Sequence, residues 1–359
     1  MNHPKHTQRN FLKAFSLGFT SAVIFGYKTS YVFGSSISTD RNKPNFIIIF
    51  TDDQGYDYYF GTLGANDSGR VTLWRNKEKL KTTEDMGSLT ALYTDEALTF
   101  MKQNKDKPFF LYLAHTMAHV KLDASEKFLG RSKRGLYGDV IEELDYNIGR
   151  VLDTIRKLGL EKKTYVLYTS ENEPWLSKGK MGGSAFPLRM GKGSAWEGGF
   201  RMPCIVWGPG RVPAGTQSNE LTATLDVMPT FAALAGAEVP TDRVIDGRDQ
   251  SALITGKTQK STRDTFYYYV RSNLHTVRQG KRKLALPNRQ RFYGYAPDTT
   301  KVVKPELYDL ENDVSEKHDV ADKHSDVVRE LLDLADQVRE DIGDLDHWGN
   351  NSRYEKPDA

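Results

Sequence analysis

The chain alternates short continuous apolar runs with segments in which apolar positions recur every three or four residues. Asn45 to Thr51 (NFIIIFT) is an apolar, β-branched run between polar residues, the pattern of a parallel strand covered on both faces. The runs at 108–114 (PFFLYLA), 164–170 (TYVLYTS) and 203–208 (PCIVWG) have the same character. Between the second and third, Val140, Leu144, Ile148, Val151, Leu152, Ile155 and Leu158 fall on one helical stripe of a segment at 139–158, with Asp139 as the expected N-cap. Strand, helix, strand in that order predicts a parallel α/β sheet.

Residues 226–235 (DVMPTFAALA) read as a further helix closed by Gly236. From about residue 263 the pattern changes to the short alternating runs TFYYYV, LHTVRQ and RKLAL. A helix at 325–342 follows, with Val328, Leu331, Leu332, Ala335, Val338 and Ile342 on one stripe. The expectation is a small antiparallel sheet with a terminal helix at 263–346, after a first α/β domain at 39–262. The polar tail at 347–359 is expected to be disordered.

At the N-terminus, Lys5, Arg9 and Lys13 precede the apolar run Ala14 to Phe25, and small residues follow at 34–38. This is the pattern of an export signal over 1–38, and its twelve-residue apolar run is too short to span a bilayer. The stretch QRNFLK also resembles the bacterial twin-arginine signal, with Gln8 in place of the first arginine. A periplasmic or extracellular protein is expected.

Composition narrows this further. The 359 residues suffice for one large α/β domain with an appendage, or for two ordinary domains. A formal charge of +3 on 50 basic and 47 acidic residues, with no dominant basic block, gives no case for a nucleic-acid partner. The single cysteine, Cys204, excludes an intramolecular disulfide and is expected to be a buried structural thiol.

In parallel sheets ligands gather beyond the carboxyl ends of the strands. Four apolar runs carry chemistry there: Asp52 and Asp53 after the first; His115, Thr116 and His119 after the second; Glu171 and Asn172 after the third; and Lys192 in the glycine-rich loop before the fourth. Two aspartates, a glutamate and an amide are all oxygen donors, which suits calcium or magnesium, and no cysteine or histidine cluster points to zinc. Singly, each has a plainer reading: the Asp-Asp pair as a turn, a histidine as a satisfied structural group, the lysine as a solvated loop charge. Convergence on one sheet edge raises them above that.

Several stretches carry a family resemblance. KPNFIIIFTDDQGY, FFLYLAHTMAHVKL, YTSENEPW, GGSAFPLRMGKGSAWEGGFRMPCIVWGPG, DVMPTFAALAG and VIDGRD resemble successive blocks of the sulfatase family, of the arylsulfatase A type. The resemblance implies an alkaline-phosphatase-like α/β fold, with a mostly parallel sheet flanked by helices, and hydrolysis of sulfate esters of a small molecule or glycan. It implies that Asp52, Asp53, Glu171 and Asn172 ligate a cation, calcium or alternatively magnesium. His119 would protonate the leaving oxygen, His115 would share the histidine role at the substrate, and Lys192 would hold a sulfate oxygen.

The family's nucleophile, a formylglycine made from a cysteine or serine in a Cys-x-Pro-x-Arg motif, lies between the Asp-Asp strand and an aromatic segment. Here those two meet directly at GYDYYFG, and the Gly-Lys-x-His segment is absent as well. AFPLR at 185–189 has the proline and arginine spacing but Ala185 at the nucleophile position. Glu171 for aspartate, Glu173 for glycine and Lys121 for proline are further departures. The expectation is an incomplete fold with an internal deletion and impaired hydrolysis; the alternatives are a cation-dependent binder of sulfated glycans and a two-metal phosphatase. Glu171-Asn172, standing where a two-metal site expects an Asp-His pair, disfavours the last.

Overall fold

In a computed structural model of the chain, residues 43–50, 58–64, 66–287, 295, 301–345 and 347–353 are described. The export-signal segment and Asp52 and Asp53 lie outside them. By its internal contacts the chain forms two compact units, Met1–Glu171 with Cys204–Ala214, and Asn172–Pro203 with Gly215–Ala359.

The first unit holds β1 (Asn45–Phe50), a three-stranded antiparallel sheet of β2 (Phe60–Thr62), β3 (Val71–Arg75) and β4 (Glu78–Thr83), helix α1 (Leu89–Asn104), β5 (Phe110–Ala114), helix α2 (Gly135–Lys157), β6 (Thr164–Thr169) and β7 (Cys204–Trp207). The main sheet runs in the order β5-β1-β6-β7, and β1 is parallel to both neighbours. Phe46, Ile47, Ile48 and Ile49 are all buried, as a strand covered on both faces requires. Asn45 fastens the start of the sheet: its side chain donates to Thr164 Oγ1 at 3.3 Å and accepts from the Phe109 amide at 3.1 Å.

Helix α2 buries Val140, Leu144, Val151 and Ile155 in the same core as Leu89, Tyr93, Ala97 and Met101 of α1. Removing each of the valine, leucine, isoleucine and methionine side chains among these from water is worth about 1.5–3 kcal/mol. The helix begins four residues before Asp139, which is therefore no N-cap. Its carboxylate instead accepts the amides of Gly130 (2.9 Å) and Ser132 (2.7 Å), tying the preceding loop to the first turns. Those amides hold the Asp139 carboxyl below the usual carboxylate range.

Two expectations for the 203–208 run fail. β7 is antiparallel to β6 and sits at the sheet edge, and Cys204 is exposed, as is Ile205 at 60 %. An apolar run of four to six residues has the same composition whether or not a neighbour covers it.

The second unit carries helix α3 (Glu197–Phe200), helix α4 (Val227–Ala235), a four-stranded antiparallel sheet of β8 (Thr265–Val270), β9 (Asn273–Gln279), β10 (Arg282–Ala285) and β11 (Glu306–Asp309), and helix α5 (Ser325–Asp341). Gly236 ends α4 at φ 64°, a left-handed conformation that favours glycine. The sheet order is β11-β10-β9-β8, and Leu331, Ala335 and Val338 of α5 join Leu274, Val277, Leu284 and Leu307 in one core. The start of the tail is ordered: β12 (Gly343–Asp344) pairs with β13 (His347–Trp348), and Arg353 bonds to Asp246 and Asp341. A polar sequence does not announce such long-range ion pairs.

Candidate functional site

The register Phe50↔Ala114 and Ile49↔Tyr168 ends β1, β5 and β6 level with one another, so the residues that follow each strand leave the sheet at one edge. His115 is the first residue after β5, only 1 % exposed. Neither ring nitrogen has a hydrogen-bond partner among the described residues, and the same holds for the neighbouring Thr116 Oγ1. Burial pushes the His115 imidazole down to about 4, which keeps it neutral near pH 7.

This has a pH signature. The unfolded histidine takes its proton near pH ~6.5 and the buried one near 4, so the stabilisation is complete above about 6.5 and is lost as pH falls towards 4. We expect His115→Phe to remove up to about 1.4 kcal/mol per pH unit of slope in that window. Unfolding midpoints across the window check it, and an unchanged slope would contradict the burial. His275, which burial also pushes down to about 4, contributes the same sign in the other unit.

His119 lies on a turn closed by its own amide bonding to Thr116 O at 3.1 Å. Asn66, buried at 2 % exposure, holds that turn: its side-chain amide reaches the carbonyls of His119 (3.4 Å) and Lys121 (3.2 Å). Nδ1 of His119 lies 2.6 Å from Val120 O and 3.5 Å from Asp67 Oδ1. In the tautomer with a proton on Nδ1 that proton is directed to the Val120 carbonyl. Asn66 and Asp67 escaped the sequence reading because they lie on a short 3-10 turn, Asn66–Ser68, with no motif of its own.

Glu171 is exposed, two residues beyond the end of β6, and Asn172 follows it at intermediate exposure as the first residue of the second unit. The second unit brings Lys192 to the stretch after Asn172. The Lys192 amide donates to Pro174 O at 3.0 Å, and the ammonium lies 5.2 Å from the Trp175 ring centroid and 5.4 Å from that of Tyr295. Gly191 is required there, since a Cβ would stand 2.5 Å from Pro174 O. Glu173, beside Asn172, is buried; burial and then the Glu197 carboxylate push its carboxyl up to about 8, against the pull of Arg201.

What holds the lysine loop is a buried charge network that the sequence did not disclose. Glu197, five residues after Lys192, accepts from Tyr268 OH (3.0 Å), Arg278 (3.2 Å) and Lys283 Nζ (3.0 Å). Lys283 also pairs with Glu316 at 2.9 Å, and Glu316 accepts the Glu197 amide at 2.8 Å. Alongside, the Arg189 guanidinium stacks 3.5 Å over the Trp196 ring centroid and donates to Glu316 O at 2.9 Å.

Among the described residues no group of three or more histidine, cysteine or acidic side chains could hold a metal ion. Of the expected donors, Glu171 and Asn172 are described, and both offer oxygen, as a hard cation requires. The described residues include no helix long and apolar enough to cross a membrane.

Comparison with known proteins places these features in context. The family model described as Sulfatase matches residues 25–237, more than half of the chain, and that described as N-sulphoglucosamine sulphohydrolase, C-terminal, matches residues 190–341. A steryl-sulfatase of Mus musculus is 42 % identical over 199 residues, covering 54 % of this chain and 32 % of that protein. An N-acetylgalactosamine-6-sulfatase of Canis lupus familiaris is 43 % identical over 232 residues, covering 64 % of this chain and 41 % of that protein. The chain thus spans a third to under half of the length of these relatives. Among solved structures, one from work on the metabolism of multiple glycosaminoglycans by Bacteroides thetaiotaomicron has a TM-score of 0.64 at 30 % identity, covering 74 % of this chain and 57 % of that one. Ps i-CgsB in complex with k-i-k-neocarrahexaose has a TM-score of 0.68 at 26 % identity, covering 84 % and 72 % respectively.

Proposed function

Because the chain belongs to the sulfatase family, we propose that it carries a sulfatase-type site directed at sulfate esters, of the sulfuric ester hydrolase class, in which the attacking residue is missing. Glu171 and Asn172, with Asp52 and Asp53, would hold a calcium or magnesium ion. When bound, such a cation supplies fixed positive charge to a dispersed anionic transition state. Lys192 would add a second positive group at a sulfate oxygen, and His119 would give the leaving oxygen a proton. His115, neutral at its buried strand end, would offer a donor or acceptor to the substrate rather than a charge.

The observation that carries this reading is the coexistence of these motif residues with the direct join of the Asp-Asp strand to the aromatic segment at GYDYYFG. The family's formylglycine precursor belongs in between, and neither Ala185 nor Cys204 on its edge strand replaces it. We infer an internal deletion and impaired hydrolysis. The ester would be carried by a glycan or a small molecule, and the N-terminal pattern supports export.

The test is hydrolysis of a chromogenic aryl sulfate by the full chain in the presence of calcium, with Lys192→Ala alongside. The expected result is no turnover above that of the variant from a folded protein. Turnover that Lys192→Ala abolishes would mean that a replacement nucleophile exists, and the account of the gap would fall. Retention of the cation donors and Lys192 without the nucleophile favours one second reading, a cation-dependent binder of sulfated glycans. Calorimetry showing neither calcium nor sulfated-ligand binding would dispose of it.

A further inference from the structure

In the first unit, the loop before α2 and the exposed face of that helix gather cations in an unusual way. Lys127 Nζ lies 3.5 Å from the ring centroid of Tyr146 and 5.2 Å from that of Phe128, and the Arg131 guanidinium lies 5.6 Å from the Phe128 centroid. The two rings meet at 5.5 Å and 51°. Ring faces thus position these two cations, and a ring leaves a cation its full charge where a carboxylate would neutralise it. Lys133 and Arg134 follow on the same loop, both exposed. Among the described residues none of the four makes an ion pair.

The loop is not a loose one. Asp139 holds the amides of Gly130 and Ser132, and a Cβ at Gly138 would stand 2.2 Å from Ser132 Oγ, so loop and helix are in close contact. The cations are therefore presented with part of the ordering cost already met by the fold. Tyr146, 46 % exposed, also lines a groove of about 620 Å³ between α1 and α2, together with Lys102, Asp145, Arg150, Asp153 and Lys157. There Arg150 is committed to Asp95 and Asp153 to Arg156, whereas Lys102 and Lys157 make no ion pair among the described residues. Of the acids here, Asp145 lines the groove, while Asp139 and Glu143 are buried and spend their carboxylates on the amides of Gly130, Ser132 and Ser125. In the sequence these cations are interspersed with acids, so no dominant basic block appears.

We propose that this face, from Lys127 to Arg134 and along Tyr146 into the groove, is a docking surface for a sulfated polysaccharide chain. Spaced cations match sulfates carried on alternate sugars, an exposed ring edge offers apolar contact to a sugar, and the interspersed acids suit a polymer whose charges are not contiguous. The choice of sulfate over phosphate rests on the sulfatase reading; the surface itself does not involve Lys192.

The test is retention of the full chain on immobilised dextran sulfate at about 0.1 M salt, where exposed charges are still felt over about 10 Å. Dextran and oligo-dT serve as the other ligands. A variant with Lys127, Arg131, Lys133 and Arg134 all changed to serine is expected to lose about tenfold or more in affinity. Lys133→Ser/Arg134→Ser, which touches neither ring, is expected to lose part of it with unaltered thermal unfolding. Lys192→Ala reports any binding through the strand-end site. Equal retention of the fourfold variant, or oligo-dT binding as tight as dextran sulfate, overturns the proposal. If Lys192→Ala alone abolishes binding, the surface proposal fails while the strand-end site stands. An enzyme with turnover that still loses dextran sulfate in the fourfold variant leaves the surface and refutes the impaired site.

Discussion

Lys283→Met is expected to destabilise the protein by about 3–5 kcal/mol, the range seen when one member of a buried ion pair is removed and its partners remain. Lys283 is fully buried, 3.0 Å from a Glu197 oxygen and 2.9 Å from a Glu316 oxygen, with its ammonium 4.2 Å from the Tyr268 ring centroid. Burial alone would favour loss of its proton, but the two carboxylates outweigh it and hold the ammonium above the ordinary lysine range. Methionine fills most of the same volume, so packing changes little. Glu197 would keep Arg278 as counter-ion and Glu316 would have none, with burial already pushing its carboxyl up. Glu316 should therefore take up a proton on folding, making the variant more sensitive to rising pH. Urea midpoints at neutral pH measure the loss, and adding Glu316→Gln should restore more than about 1 kcal/mol of it through the coupling of the two sites. A single-variant loss below about 1 kcal/mol would mean that the three charges do not depend on one another as drawn.

Asp226→Ala should cost a similar amount, again about 3–5 kcal/mol, for a different reason. Here the survivor is an arginine: Arg263, 7 % exposed, donates from Nε at 3.1 and 3.0 Å to the two Asp226 oxygens. Asp226 also accepts the amides of Ala223 (3.0 Å) and Arg248 (2.8 Å), so the substitution frees two backbone donors as well as the guanidinium. Burial pushes the Asp226 carboxyl up, but Arg263 and those amides outweigh it and leave it below the usual carboxylate range. The stabilisation is complete above the unfolded value near pH ~3.9 and is lost as pH falls through the lower folded value. The difference between Asp226→Ala and the unaltered protein should accordingly be constant from neutral pH down to about 5 and shrink below about 4. A difference that persists undiminished in acid would show that the lost packing, and not the ion pair, sets the effect.

Much of the architecture was legible because burial imposes period. Phe46 to Ile49 are buried on both faces of β1, as their continuous apolar run suggested, and Leu331, Ala335 and Val338 fall on the one side of α5 that their spacing marked. Helix α1 was harder to see because the stripe it buries includes Thr90 and Thr94 beside Leu89 and Met101. The strand-end residues were legible by motif and position: His119, Glu171, Asn172 and Lys192 each lie just past an apolar run or in the glycine loop. Their supports were not, because Asn66 and the partners of Glu197 come from 53 to 119 residues away, where no local pattern operates. The edge position of β7 was equally hidden, since an apolar run carries no mark of how many neighbours it has.

The order in which the two units draw on the chain sets a constraint on synthesis. The first unit takes residues up to Glu171 and then Cys204–Ala214, so β7 can join β6 only after the intervening Asn172–Pro203 stretch has left the ribosome. That stretch waits in turn for Lys283 and Glu316, more than eighty residues further on, before Glu197 has its buried partners. Neither unit can be cut out as a contiguous fragment, and a chain terminated early would leave the lysine loop without its anchors. Quality control acting on the nascent protein would meet a first unit that closes only at Ala214 and a second that stays unfinished until nearly the whole polypeptide has been made.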